Sequence, residues 1–227
     1  MKRIYNYKPD KKDERDFKFS AAETYDKLKA TRPTTIDWTR TMSRVKDQGQ
    51  LGTCVGFAVT AMKEFEEVYE RQLAQKEYGP TTPQLSDLSE SYVYWGAKEY
   101  DPDKTEGTSI RYAMQVLQKK GVPTESFWPY SDKTSGQPLS GAEEAAAWAK
   151  IGSYWRLTTL EDILTALSKQ PVPIGVEVFS EFEAVGSNGI VSLPGSGSRS
   201  LGGHAICLVG YDDTKKLLKF KNSWGTG

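Results

Sequence analysis

Gln48-Gly49-Gln50-Leu51-Gly52-Thr53-Cys54 is the stretch on which the reading of this chain turns. It places a glycine-punctuated turn directly before Val55, and beyond that Ala58, Ala61, Met62, Phe65, Val68, Tyr69 and Gln72 recur at intervals of three and four with Glu and Lys between them. Such spacing predicts a long amphipathic helix with Cys54 at its amino end. A thiol is a weak nucleophile until ionised, and the positive end of a helix favours the thiolate. A nucleophilic Cys54 still needs a base.

The chain contains one histidine, His204, inside Gly202-Gly203-His204-Ala205-Ile206, so only one imidazole can serve near neutral pH. The runs Ile174 to Phe179, Ala205 to Tyr211 and Leu217 to Lys221 are rich in Val, Ile, Leu and aromatics and read as antiparallel strands. Asp212-Asp213-Thr214-Lys215 is a polar hairpin joining the last two, which brings His204 and Asn222 to the same end of neighbouring strands. Asn222 can then accept the ring N–H of His204 and fix its tautomer, while Trp224, in Asn222-Ser223-Trp224-Gly225, covers that bond. Gln48 can aim its amide N–H at the point faced by the backbone N–H of Cys54, making a two-donor oxyanion hole. Taken singly, each residue has an ordinary structural reading. Their order and spacing together point to nucleophilic catalysis on a carbonyl.

Helices are also expected at Leu88 to Tyr100, after a Thr82-Pro83 turn, and at Ser109 to Lys120 with Gly121 as stop. The Ser131 to Gly141 stretch reads as a crossing from a helical part, about 45–130, to a β-rich part, about 145–227. Thr158 and Thr159 with Glu161 and Asp162 offer capping pairs for a short helix through Lys169. Residues 1–32 are charge-rich with little core periodicity and read as a tail or a cover.

Of 227 residues, 37% are apolar and 26% charged, enough for a substantial core; thirty basic and thirty acidic side chains cancel. Net charge therefore suggests neither nucleic acid nor an anionic membrane as partner, and a polypeptide is the better expectation. No apolar run is long enough for a secretory signal or a membrane span, so the chain as given is expected in the cytoplasm, or elsewhere after loss of a leader or by another export route. Its chemistry calls for no cofactor and no metal. Two cysteines exclude a disulfide-dense scaffold, and Cys207, in an apolar run, reads as a small buried hydrophobe.

The order Gln48, Cys54, His204, Asn222 resembles the papain-like cysteine protease family. Thr35-Ile36-Asp37-Trp38, Val45-Lys46-Asp47-Gln48-Gly49, Trp128-Pro129-Tyr130 and Lys221-Asn222-Ser223-Trp224-Gly225-Thr226-Gly227 carry the likeness over roughly Pro33 to Gly227. Pro9-Asp10, Arg15-Asp16, Gly52-Thr53-Cys54 and Glu106-Gly107-Thr108-Ser109-Ile110-Arg111 look closer to bacterial, xylellain-like members with a short amino-terminal extension. The resemblance implies an α+β fold in which a helical left domain faces an antiparallel β-barrel right domain across the active-site cleft. It implies a cysteine endopeptidase working through a thioester, with Cys54 as nucleophile, His204 as acid and base, Asn222 as orienter and Gln48 as oxyanion donor. In papain's own pair the thiol falls to roughly 3–4, and a like ion pair is expected here.

By the same resemblance Gly107 pairs with the substrate main chain. Thr108, Ser109, Gly175 and Ala205 line the second subsite, which holds the residue one before the scissile one, and Gly203 and Trp224 complete the substrate contacts. Residues 1–32 would be a pro-segment over the cleft. The sequence departs from the family at Leu51, at Val55 and at Glu106, which replaces the first of two paired glycines, and it stops at Gly227 before the family's usual final strand. A non-catalytic peptide-binding module and an acyltransferase or peptide ligase using the same thioester are the rival readings.

Overall fold

The computed structural model describes residues 3–78, 87–133 and 136–226. Its elements are α1 (Tyr25–Ala30), β1 (Thr35–Asp37), α2 (Cys54–Tyr78), α3 (Glu90–Tyr100), α4 (Ile110–Lys119), α5 (Ala142–Ala146), α6 (Leu160–Leu167), β2 (Val172–Phe179), α7 (Ser180–Glu183), β3 (Ser200–Asp212) and β4 (Leu217–Lys221). The long helix starts at Cys54, as its periodicity predicts. Ser89 caps α3 by accepting from the Tyr92 N–H, and Gly121, at φ +87°, ends the turn after α4. The expected Thr82-Pro83 turn lies outside the described residues.

Helices α2, α3 and α4 pack through Val55, Val59, Met62, Val93, Ala97, Ala113, Val116 and Leu117, all buried. The other layer is an antiparallel sheet about β3, which pairs with β2 and β1 in one direction and with β4 in the other. Leu167, Val172, Ile206, Leu208 and Tyr211 form its own core against α6. Thr159 caps that helix in a reciprocal box with Asp162.

The layers meet where Ala205, Cys207 and Val209 of β3 join the helical core that includes Cys54. Trp38 adds a tie across them, donating Nε1–H to the Leu167 carbonyl at 2.8 Å while its ring meets Phe65 edge-on at 5.2 Å. Beside this seam Lys46 is buried between Glu64 (2.9 Å) and Glu90 (2.5 Å), and burial lifts the Glu90 carboxyl to about 7.

Two expectations about organisation need correction. The sheet layer is not confined to the second half, because β1 crosses from residues 35–37 to pair with Gly210, Tyr211 and Asp212. Nor does a removable cover extend to residue 32. Tyr25 is buried and donates to Asp162 at 2.9 Å, and Arg32 bridges Glu161 and Asp213, so residues 19–32 belong to the body. Among the described residues no helix is long and apolar enough to cross a membrane.

Candidate active site

Cys54 opens α2 with its side chain fully buried, facing β3. Its thiol lies against the backbone N–H groups of Ala205, Val55 and Cys54 itself, each of which lowers its pKa, but burial outweighs them and lifts the thiol to about 11. His204 is also fully buried, and loss of water drives its imidazole down to about 4 despite the bond to Asn222. The expected ion pair is therefore not the favoured state of this form. Both groups are held neutral by desolvation.

The imidazole's tautomer follows from its neighbours. Asn222 Oδ1 accepts the Ser223 N–H at 2.8 Å, a group that can only donate, so the atom facing His204 Nε2 at 2.8 Å is an oxygen. Nε2 must carry the proton. Nδ1 is left with a bare lone pair, buried and without a hydrogen-bond partner among the described residues, free to take a proton from a thiol. The Trp224 ring covers the imidazole at 4.9 Å between centroids.

Gln48 is fixed by the same logic. Its Nε2 donates to the Leu51 carbonyl at 2.8 Å, and its Oε1 accepts from the Ser223 hydroxyl at 2.6 Å. One amide N–H is left over. The Gln48 backbone is clamped as well, its N–H on the Ser223 carbonyl (2.9 Å) and its carbonyl under the Tyr130 hydroxyl (2.6 Å). Ser223 and Tyr130 were legible only as parts of motifs; their positioning of Gln48 emerges from the structure.

Gly107, Thr108, Gly175 and Gly203 meet residues 6–8, while Ser109 and Ala205 are buried, the latter paired with Gly175 across the strands. Tyr7 N–H donates to the Gly203 carbonyl (2.9 Å) and Lys8 N–H to the Thr108 carbonyl (3.0 Å). Gly107 sits at φ +84°, and a Cβ there would lie 1.8 Å from the Asn6 carbonyl oxygen, so only glycine allows this approach. A Cβ on Gly175 would strike the Tyr7 ring at 1.9 Å. Tyr7 thus lies against Gly175 and Gly203, two of the residues expected to contact substrate. Tyr5 meets the His204 and Trp224 rings edge-on, and Arg3 lies over Trp224 at 5.2 Å while pairing with Asp47. Beyond the cleft Asp10 and Asp16 tie the segment to Arg111 and Arg156.

Cys207 is fully buried and its thiol is pushed up to about 12 by that burial, in keeping with a packing role. Among the described residues no group of three His, Cys, Asp or Glu side chains is arranged to hold a metal ion.

Residues 32–227 match the papain family cysteine protease pattern, and the chain belongs to that family. An uncharacterized peptidase C1-like protein of Acanthamoeba polyphaga mimivirus is 32% identical over 195 residues, covering 79% of this chain and 60% of the relative. Ananain of Ananas comosus is 28% identical over 206 residues, covering 86% and 53%. The chain thus spans little more than half the length of these curated relatives. Xylellain, a cysteine protease from Xylella fastidiosa, superposes with a TM-score of 0.80 at 27% identity over 97% of this chain and 84% of that one.

Proposed function

We propose that the chain is a cysteine endopeptidase held latent by its own residues 3–18. The observation that carries this is the backbone pairing of an extended segment with Gly203 and Thr108 directly over Cys54 and His204, which is how a groove for polypeptide would work. Polypeptide is the substrate class this supports. Likeness to xylellain over 97% of the chain supports placing it among the bacterial members with a short extension.

The steps follow from the geometry. Nδ1 of His204 takes the Cys54 proton, and the thiolate attacks the substrate carbonyl as its oxygen gathers charge between the Cys54 N–H and the free N–H of Gln48. The imidazolium, steadied by Asn222, returns the proton to the departing amine. A water molecule then cleaves the thioester with the same imidazole as base.

Why the segment inhibits without being cut follows from its direction. In a substrate the residue in the second subsite precedes the scissile bond and those beyond His204 follow it. Here Tyr7 takes the second subsite and the earlier Tyr5 and Arg3 lie beyond His204, so the chain runs backwards through the site. A reversed peptide bond does not present its carbonyl to Cys54 in the productive sense.

A thiol-directed epoxide with intact-mass readout, together with product analysis of a cleaved peptide, tests the reading. Stoichiometric labelling lost in Cys54→Ala, with two hydrolysis fragments, is the expected result. No labelling after release of residues 1–18 would make the chain a binding module, and joined fragments would make it a ligase.

A further inference from the structure

Where the family pattern has the first of two paired glycines, this chain has Glu106, and its carboxylate is aimed rather than loose. Oε1 accepts the Gly52 N–H at 2.6 Å, two residues before Cys54. Oε2 accepts from the Asn6 side-chain amide at 3.0 Å. A Cβ on Gly52 would lie within 3.2 Å of both the Asn6 side chain and Glu106 Cγ, so the three groups form one packed corner. Asn6 is the residue between Tyr7, in the second subsite, and Tyr5, over His204. Its side chain therefore occupies the first subsite, the place of the residue whose carbonyl is attacked.

We propose that Glu106 is the specificity residue of this first subsite, selecting substrates that carry Lys or Arg immediately before the scissile bond. This rests on the peptidase reading above. The Gly52 N–H holds one oxygen in place, so the carboxylate stays oriented when Asn6 leaves and its other oxygen is open to an incoming donor. Asn6 shows that the position accepts an N–H donor; a cationic side chain supplies such a donor together with a charge opposite to that of the carboxylate. Glu106 is itself exposed, so the corner opens outward and leaves room for a side chain longer than asparagine. An acidic residue there would meet like charge. The neighbouring contacts share the sign: Asp47 takes Arg3 on one side and Asp103 takes Lys8 at 2.8 Å on the other.

The test is a competition in one tube, using the full-length chain and peptides that differ only at this residue: Arg, norleucine, Gln or Glu. Competing substrates report the ratio of kcat/KM values, which does not depend on what fraction of the enzyme is uncovered. The chain should cut the Arg peptide about tenfold faster than the norleucine peptide and the Glu peptide slowest. Glu106→Gln keeps the acceptor for Gly52 but loses the charge, and it should bring the Arg to norleucine ratio close to one; Glu106→Asp should recover part of it. Equal ratios in wild type and Glu106→Gln, with the peptides cleaved, would overturn this inference alone. Cleavage of none of the peptides, either by the full chain or by its Tyr7→Ala variant, would overturn the peptidase reading beneath it.

Discussion

Ser223 does more for this site than its place between Asn222 and Trp224 suggests. Its backbone N–H fixes Asn222, its hydroxyl fixes Gln48, and its carbonyl holds the Gln48 backbone. Ser223→Ala leaves the two backbone contacts but frees the Gln48 amide to turn, so kcat should fall by roughly tenfold with KM little changed, whereas Gln48→Ala should cost a hundredfold or about that in kcat. Steady-state kinetics on one peptide separates these; an effect on KM alone in both variants would contradict the oxyanion role. The residues proposed for the chemistry stand out in the sequence because a lone histidine, a helix-start cysteine and a strand-end asparagine leave few other partners. Ser223 and Glu106 do not, since each is placed by hydrogen bonds to residues distant along the chain, Gln48 for the one and Gly52 and Asn6 for the other, and neither periodicity nor composition records such bonds.

At the scale of elements, α2 was legible from the spacing of its apolar residues at three and four, and the three main strands from runs rich in Val, Ile, Leu and aromatics bounded by turn residues. Strand β1 has only three residues and α1 buries only Tyr25, too little to show a pattern. The course of residues 3–18 was hidden for another reason: an extended segment held by backbone groups and ion pairs has no apolar rhythm. Its anchors can be tested one by one. Asp16 meets both Arg111 and Arg156, and both arginines are partly buried, so Asp16→Ala strips a shared partner from two cations. That change should speed labelling of Cys54 severalfold while leaving the urea midpoint within experimental error, because the body's cores do not include Asp16. A lower midpoint with unchanged labelling would assign Asp16 to the fold instead of the latch. In contrast, Thr159→Ala removes the cap of α6 and should cost about 1 kcal/mol of stability without changing the labelling rate.

For the whole molecule, covering the site is linked to protonation. With the segment in place burial holds the His204 pKa down to about 4; release admits water to the ring, so the released form takes up a proton there more readily and docking weakens as pH falls. Burial likewise holds the Cys54 thiol up to about 11 in the covered form, so the released form gives up that proton more readily and release is favoured again as pH climbs. The segment should sit tightest at intermediate pH and loosen on either side, a profile that limited proteolysis at a series of pH values would map. The central claim, a Cys54 nucleophile buried beneath the chain's own residues 3–18, is tested most directly by the pH dependence of Cys54 alkylation in the full chain and in a variant lacking residues 1–18. In the full chain the rate should be slow at pH 7 and keep climbing towards pH 11, whereas the shortened chain should already be near its plateau at neutral pH and react at least about a hundredfold faster there. Superimposable profiles for the two proteins would contradict the account.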